Sequence, residues 1–421
     1  MAVEVDSELF WDQDKTGEEL RRVFDVCNGC RRCYNLCPSF NDLFERLDQE
    51  SVDGEAEKLA AADLRSVTDL CYQCKLCYNH CPYTPPHRWE VDFPSLLMRS
   101  KAVQVKKEGQ SLQDFILGQV DRIGRLGSLF APIANWANRN RFNRWLMEKF
   151  LGIHRDRLLP SYASQTFRAW FHGRGAGTKP DAGRKVALFY TCTVNYNEPE
   201  TGRACVEVLE KNGVQVECPK QLCCGMPFLD GGDLKSTKEN ARTNIHALDA
   251  LVKEGYDVVV PGPTCSYMIK REYPMLLQGE EVQRVAEKTF DICEYLMGLH
   301  REGKLDTQFA KGMGQLAYQM PCHLRAQNMG FKSRELMELI PDTKVHLIEK
   351  CSAIDGTWGL KQQYFDLSKK VAAPLLQEIR ESKANLTVSD CPLAGLQIEQ
   401  GTGNKSIHPI RVLARAYGLE G

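Results

Sequence analysis

The spacing of hydrophobic residues changes along this 421-residue chain. Near the amino terminus, apolar side chains recur at helical intervals, as at Leu43, Phe44 and Leu47. This spacing predicts helices over residues 41–50 and 55–70, and the helical period continues through residues 101–172. From residue 185 onward, short apolar runs alternate with helical stretches. That alternation predicts strands joined by helices, and therefore an α/β fold with parallel sheets behind a helical amino-terminal part.

The helical middle of the chain has an apolar stripe. Its members are Ile116, Val120, Ile123, Leu126, Phe130 and Ile133. Residues 101–174 also contain 13 Lys and Arg against 5 Asp and Glu, interleaved with Trp136 and Trp145. Such a pattern is typical of a helix that packs on a protein core or on a partner, and also of a helix that lies on a membrane surface. We expect no nucleic-acid binding, because no nucleic-acid-binding motif accompanies the basic residues.

Two sets of predicted strands follow a segment rich in glycine and proline at residues 171–184, which we interpret as a linker. The first set is predicted at residues 185–190, 214–218 and 257–260, with helices at 200–212 and 236–254. The second set is predicted at residues 315–320, 344–348 and 386–389. We therefore expect four parts, at residues 1–100, 101–172, 185–300 and 312–421.

Cysteines follow these strands at equivalent places. The first repeat contains Cys192, Cys223, Cys224 and Cys265. The second repeat contains Cys322, Cys351 and Cys391. Corresponding cysteines are 130, 128 and 126 positions apart, and this small drift indicates an internal duplication. Because the carboxyl ends of parallel strands share one edge of a sheet, we expect the cysteines of each repeat to converge there as metal ligands.

Eighteen cysteines are an unusual number for a chain of 421 residues. The formal net charge is only −1. The acidic amino-terminal segment has no apolar stretch, which predicts no secretory signal peptide. No apolar run approaches the roughly 18 residues that a membrane-spanning helix needs. We therefore expect a cytoplasmic protein, peripheral on the inner face of the cell membrane if the basic helices bind lipid. In a reducing compartment, metal ligation is the expected use of so many cysteines.

Eight of the cysteines form two runs with the spacing C-x2-C-x2-C-x3-C, each followed by proline. The first run is Cys27, Cys30, Cys33 and Cys37, and the second is Cys71, Cys74, Cys77 and Cys81. In bacterial-type ferredoxins, the fourth cysteine of each run ligates the other cluster. We therefore predict one [4Fe–4S] cluster on Cys27, Cys30, Cys33 and Cys81, and another on Cys71, Cys74, Cys77 and Cys37. Structural zinc is the alternative, although zinc sites usually use two separated pairs of ligands.

These motifs together resemble a known family. The amino-terminal part is similar to the α-helical ferredoxin domain of succinate dehydrogenase-type iron–sulfur subunits, and the repeats resemble the cysteine-rich CCG domains of heterodisulfide reductase. The same order occurs in the family that includes the C subunits of anaerobic glycerol-3-phosphate dehydrogenases, proteins like the D subunit of heterodisulfide reductase, lactate and glycolate oxidase iron–sulfur subunits and rubrerythrin-associated members. The resemblance implies two [4Fe–4S] clusters, and a CCG motif that can bind a further, non-cubane [4Fe–4S] cluster.

The CCG motif departs from the family pattern, which ends in C-x-x-C. Met268 and Ala394 stand at the last position of the two repeats, and the second CCG is Cys351-Ser352-Ala353. Four cysteines remain in the first repeat, where we predict a third cluster. Three remain in the second, which is either degraded or holds a labile cluster with His323 as a candidate ligand. The cysteines that match no motif are predicted to be buried as small hydrophobic residues: Cys205, Cys218 and Cys293.

No glycine-rich nucleotide-binding motif follows a strand, so the oxidation of an organic substrate is expected on another subunit. We predict an electron-transfer protein that relays electrons between a flavin dehydrogenase and quinone or another acceptor. One alternative is a heterodisulfide reductase-like enzyme that acts on a thiol or disulfide, or serves a rubrerythrin-type peroxide reductase. Another is a non-catalytic assembly subunit. Residues 1–70 contain 17 Asp and Glu against 8 Lys and Arg, which favours docking of a basic partner protein.

Overall fold

A computed structural model describes residues 4–175, 183–354 and 356–420. The chain divides into two compact units, of which the first is Met1–Gly118 with Pro227–Thr237, and the second is Gln119–Met226 with Lys238–Gly421. The fold class is the predicted one, with helices first and parallel α/β sheets afterwards. The division into four parts stays a prediction. Among the described residues, no helix is both long and apolar enough to cross a membrane.

The amino-terminal part of the first unit is helical. Its helices are α1 (Glu8–Trp11), α2 (Gln13–Cys30), α3 (Pro38–Leu47), α4 (Ala61–Asp69), α5 (Leu76–His80), α6 (Phe93–Glu108) and α7 (Leu112–Gly118), with a 3-10 turn at Ala56–Lys58. Phe24, Phe40 and Phe93 are buried between α2, α3 and α6, and the rings of Phe40 and Phe93 stack at 4.3 Å. Six of the eight cysteines of the two runs belong to this apolar core or pack against it: Cys27, Cys33, Cys37, Cys71, Cys77 and Cys81.

One predicted helix of this unit was too long. The pattern predicted a helix over residues 55–70, but α4 begins only at Ala61. The carboxylate of Asp63 accepts a hydrogen bond from the backbone N–H of Ala60 at 2.9 Å, which fixes the start of the helix there. Leu59 and Ala60 have extended backbone dihedral angles, and Leu59 is buried from that extended segment.

The second unit begins with basic helices. They are α8 (Val120–Leu129), α9 (Ala131–Arg139), α10 (Arg141–Leu151) and α11 (Phe167–Gly173). The apolar stripe of the sequence is therefore not continuous, since it is divided among α7, α8 and α9. Pro132 lies in the first turn of α9, where it has no backbone N–H to extend α8, and Phe130 leaves the helical conformation.

Helix α8 packs through its small residues rather than through the stripe. A side chain at Gly124 would collide with the ring of Tyr196, and one at Gly127 would collide with the ring of Tyr162. Leu126 and Leu129 point away from this contact and are 60% and 70% exposed. Of the alternatives that the sequence left open, packing on the core of the described chain therefore does not apply to Leu126. Contact of the stripe with a partner or with a membrane surface stays a prediction.

The first α/β module has four parallel strands in the order β2-β1-β3-β4. The strands are β1 (Arg184–Leu188), β2 (Val214–Glu217), β3 (Tyr256–Val260) and β4 (Thr289–Asp291). The helices are α12 (Cys192–Tyr196), α13 (Pro199–Lys211), α14 (Met226–Asp230), α15 (Leu234–Lys253), α16 (Pro263–Tyr267), α17 (Tyr273–Leu276), α18 (Glu280–Glu287) and α19 (Ile292–Arg301), with a π-helical turn at Met268–Glu272. Residues 176–182, inside the predicted linker, lie outside the described residues.

The second module repeats this topology, with parallel strands in the order β6-β5-β7-β8. The strands are β5 (Gly314–Gln319), β6 (Thr343–Ile348), β7 (Leu386–Ser389) and β8 (Ser406–Ile407). The helices are α20 (Cys322–Ala326), α21 (Lys332–Glu338), α22 (Phe365–Ser382), α23 (Pro392–Thr402) and α24 (Pro409–Ala416), with 3-10 turns at Trp358–Leu360 and Gln362–Tyr364. The identical strand order confirms the duplication. Strands β4 and β8 were not predicted, because three and two residues are too few for a pattern.

The two modules pack on each other through equivalent elements. Helix α13 of the first contacts α24 of the second, and α21 of the second contacts α19 of the first. Helices α16 and α20, which carry Cys265 and Cys322, also contact each other. This exchange of equivalent contacts brings the cysteine-bearing edges of the two sheets into proximity.

Candidate metal centres

The first predicted set of thiols comes together in the helical unit. Cys27 lies in the last turn of α2, and Arg31 then turns the chain with a φ of 50°. Burial raises the pKa of Cys27, and the neighbouring thiols of Cys33, Cys81 and Cys30 raise it further. A small cavity is lined by all four of these thiols together with apolar side chains.

The second predicted set is grouped in the same way. Burial raises the pKa of Cys77, and the thiols of Cys74, Cys71 and Cys37 raise it further. Cys37 is the N-terminal cap of α3, so the first run supplies one thiol to this second group. Both groups therefore combine the cysteines as the ferredoxin spacing predicted, while their ligation of a cluster stays a prediction.

Polar groups around these thiols are suited to an anionic centre. The backbone N–H of Tyr83 donates to Cys81 Sγ at 3.4 Å, and the amide of Gln73 donates to Cys71 Sγ at 3.5 Å. Lys75 is 97% buried, and its charge lowers the pKa of Cys71 against the larger effect of burial. A cluster ligated by four thiolates is negative, so a buried cation and N–H donors favour it. The residues present therefore fit an iron–sulfur cluster in each group.

In the first α/β module, the four motif cysteines form one buried group. Hydrogen bonds join the thiols in the order Cys192, Cys223, Cys224 and Cys265. Cys192 begins α12 after β1, the CCG pair follows β2, and Cys265 lies in α16 after β3. The tyrosine hydroxyl of Tyr273 donates to the carbonyl oxygen of Cys224 at 2.9 Å, which fixes the CCG loop. Four converging thiols are a donor set that fits a third cluster.

Asp121 is a member of this site that sequence reasoning missed. Its carboxylate accepts a hydrogen bond from the backbone N–H of Cys223 at 2.7 Å, across 102 positions. Burial raises the pKa of Asp121, and its charge in turn raises the pKa of Cys192 and Cys223. No spacing in the sequence relates Asp121 to the CCG loop, because only the packing of α8 brings them together.

The second module places its three cysteines at the corresponding edge of its sheet. Cys322 begins α20 after β5, Cys351 follows β6, and Cys391 caps α23 after β7. The backbone N–H of Ala353, which has a φ of 52°, donates to Cys351 Sγ at 3.3 Å. Cys391 lies close enough to Cys265 to raise the pKa of that thiol, so the two repeats approach each other at these cysteines.

His323 faces the first module. Its Nδ1 atom shares a hydrogen bond of 2.9 Å with the hydroxyl of Thr264, and its ring stacks on that of Tyr267 at 5.4 Å. These contacts give the buried imidazole a structural role at the contact between α16 and α20. Met268, at the lost cysteine position of the first repeat, is fully buried in the π-helical turn.

The three remaining cysteines are buried in the core of the α/β modules: Cys205, Cys218 and Cys293. Cys293 also lies beside two acidic residues, Asp291 and Asp390, and one ligand atom from each lies within 4.8 Å of the others. Asp390 is held by hydrogen bonds from Tyr318 at 2.7 Å and from Ser333 at 2.6 Å. Sequence reasoning missed this acidic group, which only the contact between the repeats assembles.

The amino-terminal part and the two α/β modules of the chain each match a known protein family. The family described as citrate utilization protein B Fer4-like domain matches residues 20–107, and the family described as cysteine-rich domain matches residues 186–270 and 316–399. The C subunit of anaerobic glycerol-3-phosphate dehydrogenase of Escherichia coli strain K12 is 31% identical over 399 residues, which cover 93% of this chain and 98% of the relative.

Two further relatives cover part of the chain. Lactate utilization protein A of Bacillus pumilus is 30% identical over 49% of this chain and 87% of its own length. The B subunit of the fumarate reductase (CoM/CoB) of Methanothermobacter marburgensis is 26% identical over 62% of this chain and 52% of its own length. The match to the first relative extends over nearly the whole of both proteins. The chain therefore belongs to the family of cysteine-rich iron–sulfur oxidoreductase subunits that includes the C subunit of anaerobic glycerol-3-phosphate dehydrogenase.

Proposed function

We propose that this protein relays electrons between a flavin-containing dehydrogenase subunit and quinone in a membrane. In this proposal the two groups of thiols in the helical unit hold two [4Fe–4S] clusters, and the buried group of the first α/β module holds a third, non-cubane cluster. When bound, such clusters supply one-electron transfer. The grouping of Cys27, Cys30 and Cys33 with Cys81 from the other run is the observation that carries the proposal.

Side chains of the protein exclude water from these thiols and lower the pKa of some of them. Phe40 and Phe44 line the first cavity, so apolar rings exclude water from one side of the four thiols. Arg32 lines the same cavity, and its charge lowers the pKa of Cys33 and Cys81 against the larger effect of burial. A positive charge beside thiolates stabilises the more negative state of the group they hold. These residues therefore favour an electron-accepting centre.

The exposed apolar stripe supports delivery to a membrane. Phe130, Ile133 and Trp136 are more than half exposed, and the basic side chains Arg122 and Arg125 are exposed on the preceding helix α8. Apolar side chains next to cations suit the interface of an anionic lipid bilayer, where rings enter the acyl region and cations contact phosphates. A dehydrogenase partner is proposed because a relative that matches over 98% of its own length is named as a subunit of one.

The test uses the intact, anaerobically purified chain reduced with limited dithionite. It is mixed with phosphatidylglycerol vesicles that contain a menaquinone analogue, and the visible absorbance of the clusters is followed. We expect rapid reoxidation that depends on the quinone, and a slower rate for a variant with Leu129→Gln and Ile133→Gln. The same variant should reduce a water-soluble quinone at the rate of the parent protein.

Two results would contradict this proposal. Reduced protein that is not reoxidised by vesicle-bound quinone would exclude quinone as acceptor. Reduction of a disulfide substrate by the same preparation, at a rate that exceeds its rate with quinone, would favour the heterodisulfide reductase-like alternative.

A further inference from the structure

A cavity of about 870 Å³ lies in the second unit beside both cysteine-bearing edges. Thr193, which follows Cys192, and Pro392, which follows Cys391, both line it. The opposite wall comes from α9, α10 and the segment that follows α10. Its volume is within the range of roughly 300–1,000 Å³ that is typical of small-molecule sites. Neither family motif includes this wall, so nothing described above assigns the cavity a ligand.

The wall of the cavity is positively charged. Six basic side chains line it, against three acidic ones. The basic residues are Arg139, Arg141, Arg144, Arg155, Arg157 and Lys405. Of these, Arg155 forms a salt bridge with Glu148, whereas Arg141 and Lys405 form no salt bridge with any described residue. The lining of the cavity therefore carries more positive than negative charge.

Arg157 is the strongest sign that a ligand completes this cavity. Its side chain is 98% buried, and its guanidinium group donates only to neutral partners, namely Gln397, Gln400 at 3.2 Å and Ser368 at 2.9 Å. Its Nε atom is buried and has no hydrogen-bond partner among the described residues. Burying a charge without a counter-ion is costly, so an anion in the adjoining cavity would stabilise the folded chain.

Arg144 extends the same arrangement. It is also buried, and its guanidinium group donates to the backbone carbonyl oxygens of Arg155 at 3.0 Å, His154 and Arg157 at 2.8 Å. These bonds fix the segment that carries Arg157, and leave both guanidinium charges without a carboxylate acceptor. Planar guanidinium groups bind the oxygens of phosphate through paired hydrogen bonds, which identifies the ligand class.

We propose that this cavity binds a phosphate group, contributed either by a free organic phosphate or by a phospholipid headgroup. Both sources share the chemistry that the basic wall recognises. The geometry suits the lipid source because α9 and α10, which form the wall, also expose Trp136 and Phe142 at 61% and 65%. Free phosphate compounds would instead enter from solution. The inference goes beyond the proposed electron transfer and does not depend on it, because it concerns binding alone.

The experiment is isothermal titration of the intact, cluster-containing chain with three probes. They are inorganic phosphate, monomeric dihexanoyl phosphatidylglycerol and monomeric dihexanoyl phosphatidylcholine. Saturable binding of phosphate identifies a free phosphate source. Binding of the phosphatidylglycerol alone, or far more tightly than phosphate and phosphatidylcholine, identifies an anionic lipid headgroup. The absence of saturable binding of all three probes would overturn the proposal.

Variants distinguish this site from general charge attraction. Arg141→Gln and Lys405→Gln change exposed side chains of the wall, and we expect each to weaken binding about tenfold. Arg122→Gln removes an exposed charge of α8 that does not line the cavity, and should leave the affinity unchanged. Equal weakening by all three variants, or none by the two cavity variants, would overturn the proposal. Because these side chains are exposed, the result does not require a variant of the buried Arg157.

Discussion

The backbone N–H of Cys223 donates a hydrogen bond of 2.7 Å to the carboxylate of Asp121, which lies in α8. One side chain of the basic helices thereby holds the loop that carries both cysteines of the CCG pair. The side chains of Asn240 and Asn244 fix the same loop from α15 by donating to the carbonyl oxygen of Cys223 at 3.1 and 3.3 Å. The loop is therefore restrained from both sides by side chains of the protein itself.

Removing this acceptor should destabilise the protein. Asp121→Leu leaves the backbone N–H of Cys223 without this partner, and we expect the free energy of unfolding in urea to fall by about 1–3 kcal/mol. Asp121→Asn retains a carbonyl acceptor of similar shape and should lose about 1 kcal/mol or less. Equal stability of the two variants would show that the hydrogen bond is unimportant.

The hydrogen bond between Thr264 and His323 should contribute to the contact between the two modules. Thr264→Val keeps the shape of the side chain but removes the hydroxyl, and we expect a loss of about 1–3 kcal/mol in unfolding free energy. Thr243→Val is the control, because the hydroxyl of Thr243 is exposed and bonds only to its own helix. A stability loss no larger than that of the control would contradict the proposed structural role.

His323 should not be needed for metal binding. Its Nδ1 atom is engaged by Thr264, so we expect His323→Gln to retain the iron content of the parent protein. Iron is measured by a colorimetric assay on anaerobically purified protein. A loss of about four irons per chain would instead identify this histidine as a cluster ligand.

The acidic group between the repeats predicts a pH dependence of stability. Burial raises the pKa of Asp390 to about 6, although hydrogen bonds from Ser333 and Tyr318 oppose that rise. The folded chain therefore holds a proton that the unfolded carboxyl, with a pKa near 4, releases. The stabilisation of the folded chain by protonated Asp390 is complete below about pH 4, and it is lost as the pH rises through about 6.

Thermal unfolding between pH 4 and pH 8 measures this effect. We expect the melting temperature to fall as the pH rises through about 6, and this fall to be smaller in Asp390→Asn. Asp291 responds in the same direction, since burial and the charge of Asp390 raise its pKa well above the usual value. If the melting temperature of Asp390→Asn falls as much as that of the parent protein, other groups cause the pH dependence.

Much of this fold could be predicted from the sequence because the signals were local. The three main strands of each module begin and end within a residue or two of the apolar runs, and the cysteine spacing indicated which thiols group together. Strands such as β8, with two residues, carry no such signal. The apolar stripe left its contact undecided, because its period is the same whether the face meets a core, a partner or a membrane.

Contacts between segments that are distant along the chain could not be predicted from the sequence. Asp121 meets Cys223, and Asp291 meets Asp390, only after whole modules have packed. The burial of Arg157 among neutral hydrogen-bond partners could not be predicted either, because arginine is ordinarily a surface residue. The sequence thus predicted by spacing which thiols lie together, and their role as ligands stays a prediction, while the charges that surround them required the structure.

The apolar stripe should determine vesicle binding. Ile133 of the stripe and the neighbouring Leu129 are 65% and 70% exposed, so their replacement by glutamine removes membrane contact without disturbing the core. We expect the double variant to bind phosphatidylglycerol vesicles at least tenfold more weakly in a flotation assay, since burial of each side chain contributes about 1.5–3 kcal/mol.

The matched control is Phe331→Gln. Phe331 is an exposed apolar residue of the second module, outside the stripe, and its replacement should leave vesicle binding unchanged. Equal binding by the parent protein and the double variant would show that the stripe faces a protein partner rather than lipid.

The most direct test of the account is the iron and acid-labile sulfide content of anaerobically purified protein, together with its low-temperature EPR spectrum after dithionite. We predict about twelve irons per chain, from three clusters of four. Cys77→Ala should lose about four of them, and Cys205→Ala, a buried cysteine outside the three thiol groups, should lose none. Colourless protein without labile sulfide or an EPR signal would contradict the claim that these thiols bind iron–sulfur clusters.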